Sequence, residues 1–228
     1  MIKPYYETKL GKLYHGDCLE IMPELEPVDL VLTDPPYGLN EKLRGGVTGM
    51  MKGCFNEMVA DGWDVKPTKK HFKMIFSISD NQIIWGGNYF IEYLRSSQGF
   101  FVWNKMNGTN QMADCEMAWT SFEMGSKMFS MHHFSAGYDK KKHPTQKPTK
   151  LFIWCLGHSR NSKNILDPFI GSGTTAIACE RLKRKWIGIE IEEKYCEIAA
   201  KRIEENLTVP ERIERSEKGI TKKTGLLF

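Results

Sequence analysis

The stretch NILDPFIGSGTTAIACERLKRKWIGIE, residues 164–190, decides the fold. It opens with a strand predicted at residues 164–166, passes through a glycine-rich turn, continues as a helix predicted over residues 174–183, and ends in a second strand predicted at residues 185–189. A strand, a crossover helix and a second strand form a unit whose two strands lie parallel in one sheet. The stretch therefore predicts an α/β domain with a parallel sheet.

The same alternation of strands and helices extends outward over most of the chain. Periodicity and turn residues predict further strands at residues 12–15, 28–33, 82–85, 99–103, 116–120 and 127–134. They predict further helices at residues 19–25, 68–77, 89–95, 148–158 and 193–206. No repeat or linker divides the 228 residues, so we expect one domain over residues 1–228, with a basic tail at 208–228.

Composition excludes several classes of protein. Hydrophobic residues make up 41% of the chain and charged residues 26%, which is typical of a globular domain. No apolar run approaches the ~20 residues that a membrane helix needs, and the first residues lack an apolar signal core, so we expect a protein that stays in a cytoplasm. The six cysteines form no CxxC pair, and the neighbours His132 and His133 point to opposite faces of a predicted strand. We therefore predict no metal site.

A first motif that carries chemistry follows the strand predicted at 28–33. It reads Asp34-Pro35-Pro36-Tyr37. A turn would also suit Asp-Pro-Pro, but the same residues suit methylation of an exocyclic amino group, whose lone pair is delocalised into a ring. The Asp34 carboxylate and the Pro35 carbonyl can accept both amino hydrogens, on a backbone that two prolines keep rigid. Tyr37 offers a flat face to an extruded base.

A second motif lies in the stretch that opened the analysis. Gly171 and Gly173 allow the backbone to approach a ligand, at the start of a helix whose free N–H groups point to it. The dinucleotide pattern GxGxxG is not met, because Ala176 stands where the third glycine belongs. Glu190 ends the next strand and can take both hydroxyls of a ribose. This combination suits a nucleoside without pyrophosphate, such as S-adenosylmethionine.

Three segments together carry a family resemblance. DPPY at 34–37, HPTQKP at 143–148 and DPFIGSGT at 167–174 resemble the amino-group DNA methyltransferases. The catalytic motif precedes the cofactor motif, as in the permuted β group of that family. The resemblance covers residues 12–37 and 143–206. It implies a doubly wound, mostly parallel, seven-stranded sheet in which the strands ending at Asp34 and Asp167 are neighbours.

The resemblance also assigns residues. It implies that Asp34, Pro35, Pro36 and Tyr37 are catalytic and that Asp17 contacts the adenine ring of S-adenosylmethionine. It implies that Thr145, Gln146 and Lys147 lie near the methionine part of this cofactor, and that Glu190 holds the ribose. The implied cofactor loop consists of Asp167, Phe169, Gly171, Ser172, Gly173 and Thr174.

The room for target recognition is small, since only residues 38–62 and 104–142 are available for it. Candidates for contacting duplex DNA are Trp103, Asn104, Lys105, Asn107, Asn110 and Gln111. Asn, Gln and Lys can read base edges, although the same residues are ordinary in polar loops. A homodimer would let a second subunit contribute to recognition.

The favoured activity is transfer of a methyl group to N6 of adenine in DNA, on a base flipped out of the duplex. N4 of cytosine is the nearest alternative, because the same geometry serves both amino groups. Family members that act on cytosine more often carry Ser in place of Asp34. Methylation of RNA or of a protein amide fits less well, since those enzymes usually place the cofactor motif first. A non-catalytic DNA-binding protein is disfavoured by the intact Asp34 and Tyr37.

Overall fold

A computed structural model describes residues 2–39, 64–107, 113–132 and 146–208. Its strands are β1 Tyr6–Glu7, β2 Gly11–His15, β3 Leu30–Thr33, β4 Gln82–Trp85, β5 Phe100–Asn104, β6 Cys115–Thr120, β7 Lys127–Ser130, β8 Asn164–Asp167 and β9 Lys185–Glu190. Its α-helices are α1 Cys18–Ile21, α2 Lys69–Ile78, α3 Thr149–Gly157, α4 Thr174–Arg181 and α5 Glu193–Leu207. Two short 3₁₀ helices span Met22–Glu24 and Gly87–Tyr89.

The strands form one sheet in the order β1-β2-β9-β8-β3-β4-β6-β5-β7. The five strands from β2 to β4 in this order are mutually parallel, while β6 is antiparallel to both of its neighbours. The expected α/β class with a mostly parallel sheet is confirmed. The sheet has nine described strands instead of seven, because a two-residue strand at one edge and β7 at the other extend a seven-stranded centre.

Helices cover both faces of this sheet, which explains the continuous apolar runs in the sequence. All four residues of β3 are buried. Leu32 belongs to a core cluster that includes Leu151 of α3 and Ile177 of α4. Its neighbour Val31 belongs to a second cluster on the other face, which includes Ile75 of α2. Alternate residues of one strand therefore supply two separate cores.

The helix predicted at 89–95 is wrong. The chain forms the 3₁₀ turn that ends at Tyr89 and then a further turn, in which the Tyr93 N–H donates to the Phe90 carbonyl at 2.8 Å. The rings of Phe90 and Tyr93 each lie 5.1 Å from the ring of Phe72 on α2. These aromatic contacts hold the segment in an irregular path and override its helical pattern. The strand predicted at 127–134 is also shorter, since it ends at Ser130.

Strands β3 and β8 are parallel neighbours, with Leu30 opposite Ile165, as the resemblance implies. Next to them lie β9 and then β2, so four adjacent parallel strands end on one edge of the sheet. The residues at or just after these ends are Asp34, Asp167, Glu190 and Asp17. Ligands of doubly wound sheets bind at this kind of edge. Within the described ranges, no helix combines the length and the apolar character needed to cross a membrane.

Candidate active site

The Asp34 carboxylate is the centre of one half of the site. It follows the buried strand β3 directly, and its side chain is 23% exposed. The Tyr37 hydroxyl donates to Oδ1 at 2.5 Å, and the Lys147 ammonium donates to Oδ2 at 2.7 Å. Each carboxylate oxygen retains a further lone pair, since an ionised carboxylate offers about four acceptor sites. The carboxylate is therefore oriented by two donors and still able to accept from a ligand.

The ring of Tyr37 is held in an aromatic cluster. It stacks on Tyr89 with a centroid distance of 4.7 Å and an interplanar angle of 22°, and it meets the ring of Phe90 edge-on. Gly86 touches the ring so closely that a Cβ there would lie 2.1 Å from Tyr37 Cε1. Tyr37 thus lies where a base could stack, although Tyr89 covers one of its faces in this structure.

Behind Asp34 lies a chain of charged side chains. Lys147 Nζ lies 2.9 Å from Glu116 Oε2, and Lys105 Nζ lies 2.5 Å from Glu116 Oε1. Burial raises the pKa of Glu116, but the two lysines outweigh it and bring this pKa to about 2. Burial lowers the pKa of Lys147, but Asp34 and Glu116 outweigh it and hold this pKa above its usual value. Lys147 and Glu116 are therefore both charged.

In Asp34, burial has a larger effect on the pKa than the neighbouring charges have. Burial raises its pKa, and the charge of Lys147 opposes this effect without cancelling it. A carboxylate with a raised pKa is a better hydrogen-bond acceptor than one in free solution. This property suits a group that must attract the hydrogens of an amino nitrogen.

Several sequence predictions change at this point. The resemblance implies that Lys147 lies near the cofactor, and the structure adds that its ammonium contacts Asp34 and Tyr37, at 2.7 and 3.2 Å. Lys105 and Trp103 were candidates for contacting DNA, but both are buried, with 9% and 4% of their surface exposed. The Lys105 ammonium forms an ion pair with Glu116, and the Trp103 indole N–H donates to a backbone carbonyl. Asn110 and Gln111 lie outside the described residues.

The Asp167 carboxylate joins the two motifs. It is buried, and its Oδ1 accepts from the Thr33 hydroxyl at 2.7 Å and from the Phe169 N–H at 3.1 Å. Its Oδ2 accepts from the Thr175 hydroxyl. The carboxylate therefore links the end of β3, the cofactor loop and the first turn of α4. Burial raises its pKa to about 7.

Glu190 fits the role of a ribose ligand. Its Oε2 accepts from the Gly171 N–H at 2.9 Å and its Oε1 from the Glu192 N–H at 3.0 Å. The Gly16 N–H donates to the Glu190 carbonyl at 2.9 Å, which brings Asp17 to the same edge. A Cβ at Gly171 would meet nothing within 4 Å, so this backbone is open to a ligand.

The segment before α3 lies against the glycine loop. Ser172 is buried and receives hydrogen bonds from Arg202 of α5 at both its carbonyl and its hydroxyl. The Ser172 hydroxyl lies 3.5 Å from Gln146 Oε1, and the Thr174 hydroxyl lies 3.4 Å from the Lys147 carbonyl. Gln146 thus neighbours Ser172, and Lys147 neighbours Thr174. Thr145 lies outside the described residues.

Sequence reasoning missed His71 on α2. Its ring lies 5.9 Å from the ring of Phe169. Ligand-type atoms of His71, Asp17 and Cys18 lie within 4.8 Å of one another. Burial raises the pKa of the Cys18 thiol to about 12, whereas a metal ligand must be a thiolate.

Comparisons with known proteins agree with this geometry. The family model described as DNA methylase, of the N6/N4 type, matches residues 102–201. The type II methyltransferase M2.LlaDCHI of Lactococcus lactis is 25% identical over 254 aligned positions, covering 91% of this chain and 94% of the relative. M2.DpnII of Streptococcus pneumoniae is 27% identical over 251 positions, covering 90% and 93%.

These comparisons support an N6/N4 DNA methyltransferase. Solved structures share the fold. The complex of M1.HpyAVI with S-adenosylmethionine has a TM-score of 0.58 at 22% identity, covering 85% of this chain and 99% of that one. The PvuII DNA methyltransferase, named as cytosine-N4-specific, has a TM-score of 0.54 at 20% identity, covering 97% and 93%.

S-adenosylmethionine is the cofactor that the sequence resemblance implies, and the described residues fit it. Glu190 has lone pairs left for ribose hydroxyls, and the open backbone of Gly171 lies beside it. Asp17 and Phe169, which the resemblance assigns to the cofactor site, both lie close to His71. The cofactor half and the Asp34 half meet at the adjacent ends of β8 and β3.

Proposed function

We propose that this enzyme methylates N6 of adenine in duplex DNA. The observation that carries the proposal is the Asp34 carboxylate, oriented by Tyr37 and Lys147, at the end of a strand next to the cofactor loop. Family members that act on cytosine more often carry Ser at this position, which has one hydroxyl instead of a carboxylate. Tyr37 also offers a broad face, which a purine fills better than a pyrimidine.

The chemistry that we propose depends on position. S-adenosylmethionine supplies an electrophilic methyl group. The Asp34 carboxylate and the Pro35 carbonyl accept the two amino hydrogens, so that the lone pair of the nitrogen is no longer drawn into the ring. Glu190, Asp17 and the glycine loop hold the cofactor. Most of the acceleration comes from holding two reactants in the correct orientation.

Base flipping is part of this proposal, because an amino group inside a duplex cannot reach the recessed end of β3. We propose that the flipped base stacks on Tyr37. Tyr89, which is 38% exposed, then either backs the ring from behind or swings away to admit the base. In both cases the aromatic pair marks the base pocket.

We further propose one domain with small recognition loops. Strand β5 runs in the same direction as β3, so the segments that follow both strands leave from the edge that carries the site. Exposed apolar side chains stand in or near these segments, among them Val65 and Met106. Side chains of this kind can enter the space that a flipped base leaves.

The test is to sequence modified bases in DNA from cells that express the wild type or Asp34→Ala. We expect N6-methyladenine at one recurring sequence with the wild type and none with the variant. N4-methylcytosine would keep the enzyme class and overturn the choice of base. Methylation of RNA or protein with unmodified DNA would overturn the proposed substrate.

A further inference from the structure

Four charged side chains form a continuous chain from β6 to the catalytic motif. Lys105 contacts Glu116, Glu116 contacts Lys147, and Lys147 contacts Asp34, at 2.5, 2.9 and 2.7 Å. Side chains of Lys105 and Lys147 are 11% and 7% exposed, and those of Glu116 and Asp34 are 25% and 23% exposed. Two cations and two anions therefore neutralise one another in a largely dry environment.

Such a chain of charges stabilises a fold poorly, because its desolvation is unfavourable. Removing a charge from water costs several kcal/mol, and apolar side chains of similar volume often stabilise a protein equally well. The chain also has a direction. Lys105 and Glu116 touch no residue of the catalytic motif in the described contacts, while Lys147 touches both Asp34 and Tyr37. The Lys105 end of this chain of charges thus lies at the sheet, and its Lys147 end contacts Asp34, the proposed reacting group.

We infer that Glu116 is a positioning residue for methyl transfer, which acts on Asp34 through Lys147. This inference rests on the proposed role of Asp34 as the acceptor of the amino hydrogens. Glu116 lies on β6 opposite Trp103 of β5, so the register of two strands fixes where its carboxylate stands. The Lys147 ammonium is shared between two carboxylates and so engages Asp34 at Oδ2.

Because the Lys147 ammonium is shared between Glu116 and Asp34, two consequences follow for Asp34. Its carboxylate plane is set by one donor at each oxygen, Tyr37 at Oδ1 and Lys147 at Oδ2. The positive charge of Lys147 is also divided, so Asp34 keeps the strength as an acceptor that the amino group requires. Without the charge of Glu116, the ammonium would bind Asp34 alone and pull the carboxylate out of place.

The experiment compares the purified full chain with Glu116→Gln, which preserves shape and removes the charge. We expect kcat to fall about 10- to 100-fold, the scale of a displacement of about 1 Å at the reacting groups. The Kd for S-adenosylmethionine, measured by calorimetry, should stay within about two-fold. Glu116→Asp keeps the charge and should recover most of the lost kcat. Glu123→Gln is the matched control at an exposed position and should leave kcat unchanged.

A double-mutant cycle tests the route through Lys147. If Glu116 acts through that side chain, Glu116→Gln causes no further loss when added to Lys147→Met. An equal loss in both backgrounds would overturn the inference, and so would a kcat of Glu116→Gln within two-fold of the wild type. Loss of cofactor binding in Glu116→Gln, or no recovery in Glu116→Asp, would also overturn it. A wild type that transfers no methyl group to DNA would instead refute the proposed function.

Discussion

Gly86→Ala should damage the enzyme although it changes no charged group of the site. Gly86 follows β4 with φ at +67°, a left-handed conformation that costs an alanine about 1–2 kcal/mol. The new Cβ would lie 2.1 Å from Tyr37 Cε1, short of ordinary contact by more than about 1 Å. Either the ring or the turn must move, and the hydrogen bond from Tyr37 to Asp34 lengthens with it.

The expected results follow from these two effects. The strain alone should lower Tm by about 2–8 °C in a chain of this size. Displacement of Tyr37 by about 1 Å should lower kcat by up to about 100-fold. The cofactor Kd should change little, because Gly86 contacts the base half of the site. Thermal melts, calorimetry with S-adenosylmethionine and initial rates on DNA measure the three quantities.

Gly157→Ala is the matched control. Gly157 is the last residue of α3, and a Cβ there would meet nothing within 4 Å. We expect unchanged kcat and a Tm equal to or slightly above that of the wild type. If Gly86→Ala loses stability but keeps kcat within two-fold, the placement of Tyr37 does not limit catalysis, and the reasoning is refuted.

Three further substitutions separate the parts of the site. Asp34→Asn should lower kcat at least about 100-fold and leave the cofactor Kd within two-fold by calorimetry, because Asp34 serves the base; substantial residual turnover would remove it from catalysis. Glu190→Gln should raise that Kd about 10- to 100-fold, since charged hydrogen bonds to the ribose weaken; an unchanged Kd would exclude Glu190 from the site. Asp167 has a folded-state pKa of about 7 against an ordinary 3.8, because it is buried. The protonated form of Asp167 is therefore favoured in the folded protein. Its contribution to the free energy of unfolding is fully present below pH 4 and falls by about 1.4 kcal/mol per pH unit as the pH rises to 7. Urea unfolding of the wild type and Asp167→Asn should show this slope in their difference, and a difference independent of pH would contradict it.

Motifs next to buried strands could be predicted from the sequence. The apolar runs before Asp34 and Asp167 are local signals, and each motif has its own chemistry. The prediction that the two motifs follow adjacent strands came from the resemblance, and the pairing of β3 with β8 confirms it. The edge strand Tyr6–Glu7 escaped prediction because two residues carry no periodic signal.

The charged chain behind Asp34 could not be predicted in the same way. Lys105 and Glu116 are eleven positions apart, and their contact depends on the antiparallel register of β5 and β6. A lone acidic residue in the apolar strand CEMAWT was the available signal. Lys147 lies in a recognisable segment, but which partner its flexible side chain reaches is decided by tertiary packing. The same holds for His71, which two unrelated elements bring to Phe169.

The most direct test of the account is the identity of the methylated nucleoside. Purified enzyme is incubated with unmethylated duplex DNA and S-adenosylmethionine, the DNA is digested to nucleosides, and the products are identified by mass spectrometry. The account predicts N6-methyldeoxyadenosine as the main product, absent when Asp34→Asn replaces the wild type. N4-methyldeoxycytidine as the main product would contradict the assignment of the Asp34 pocket to adenine.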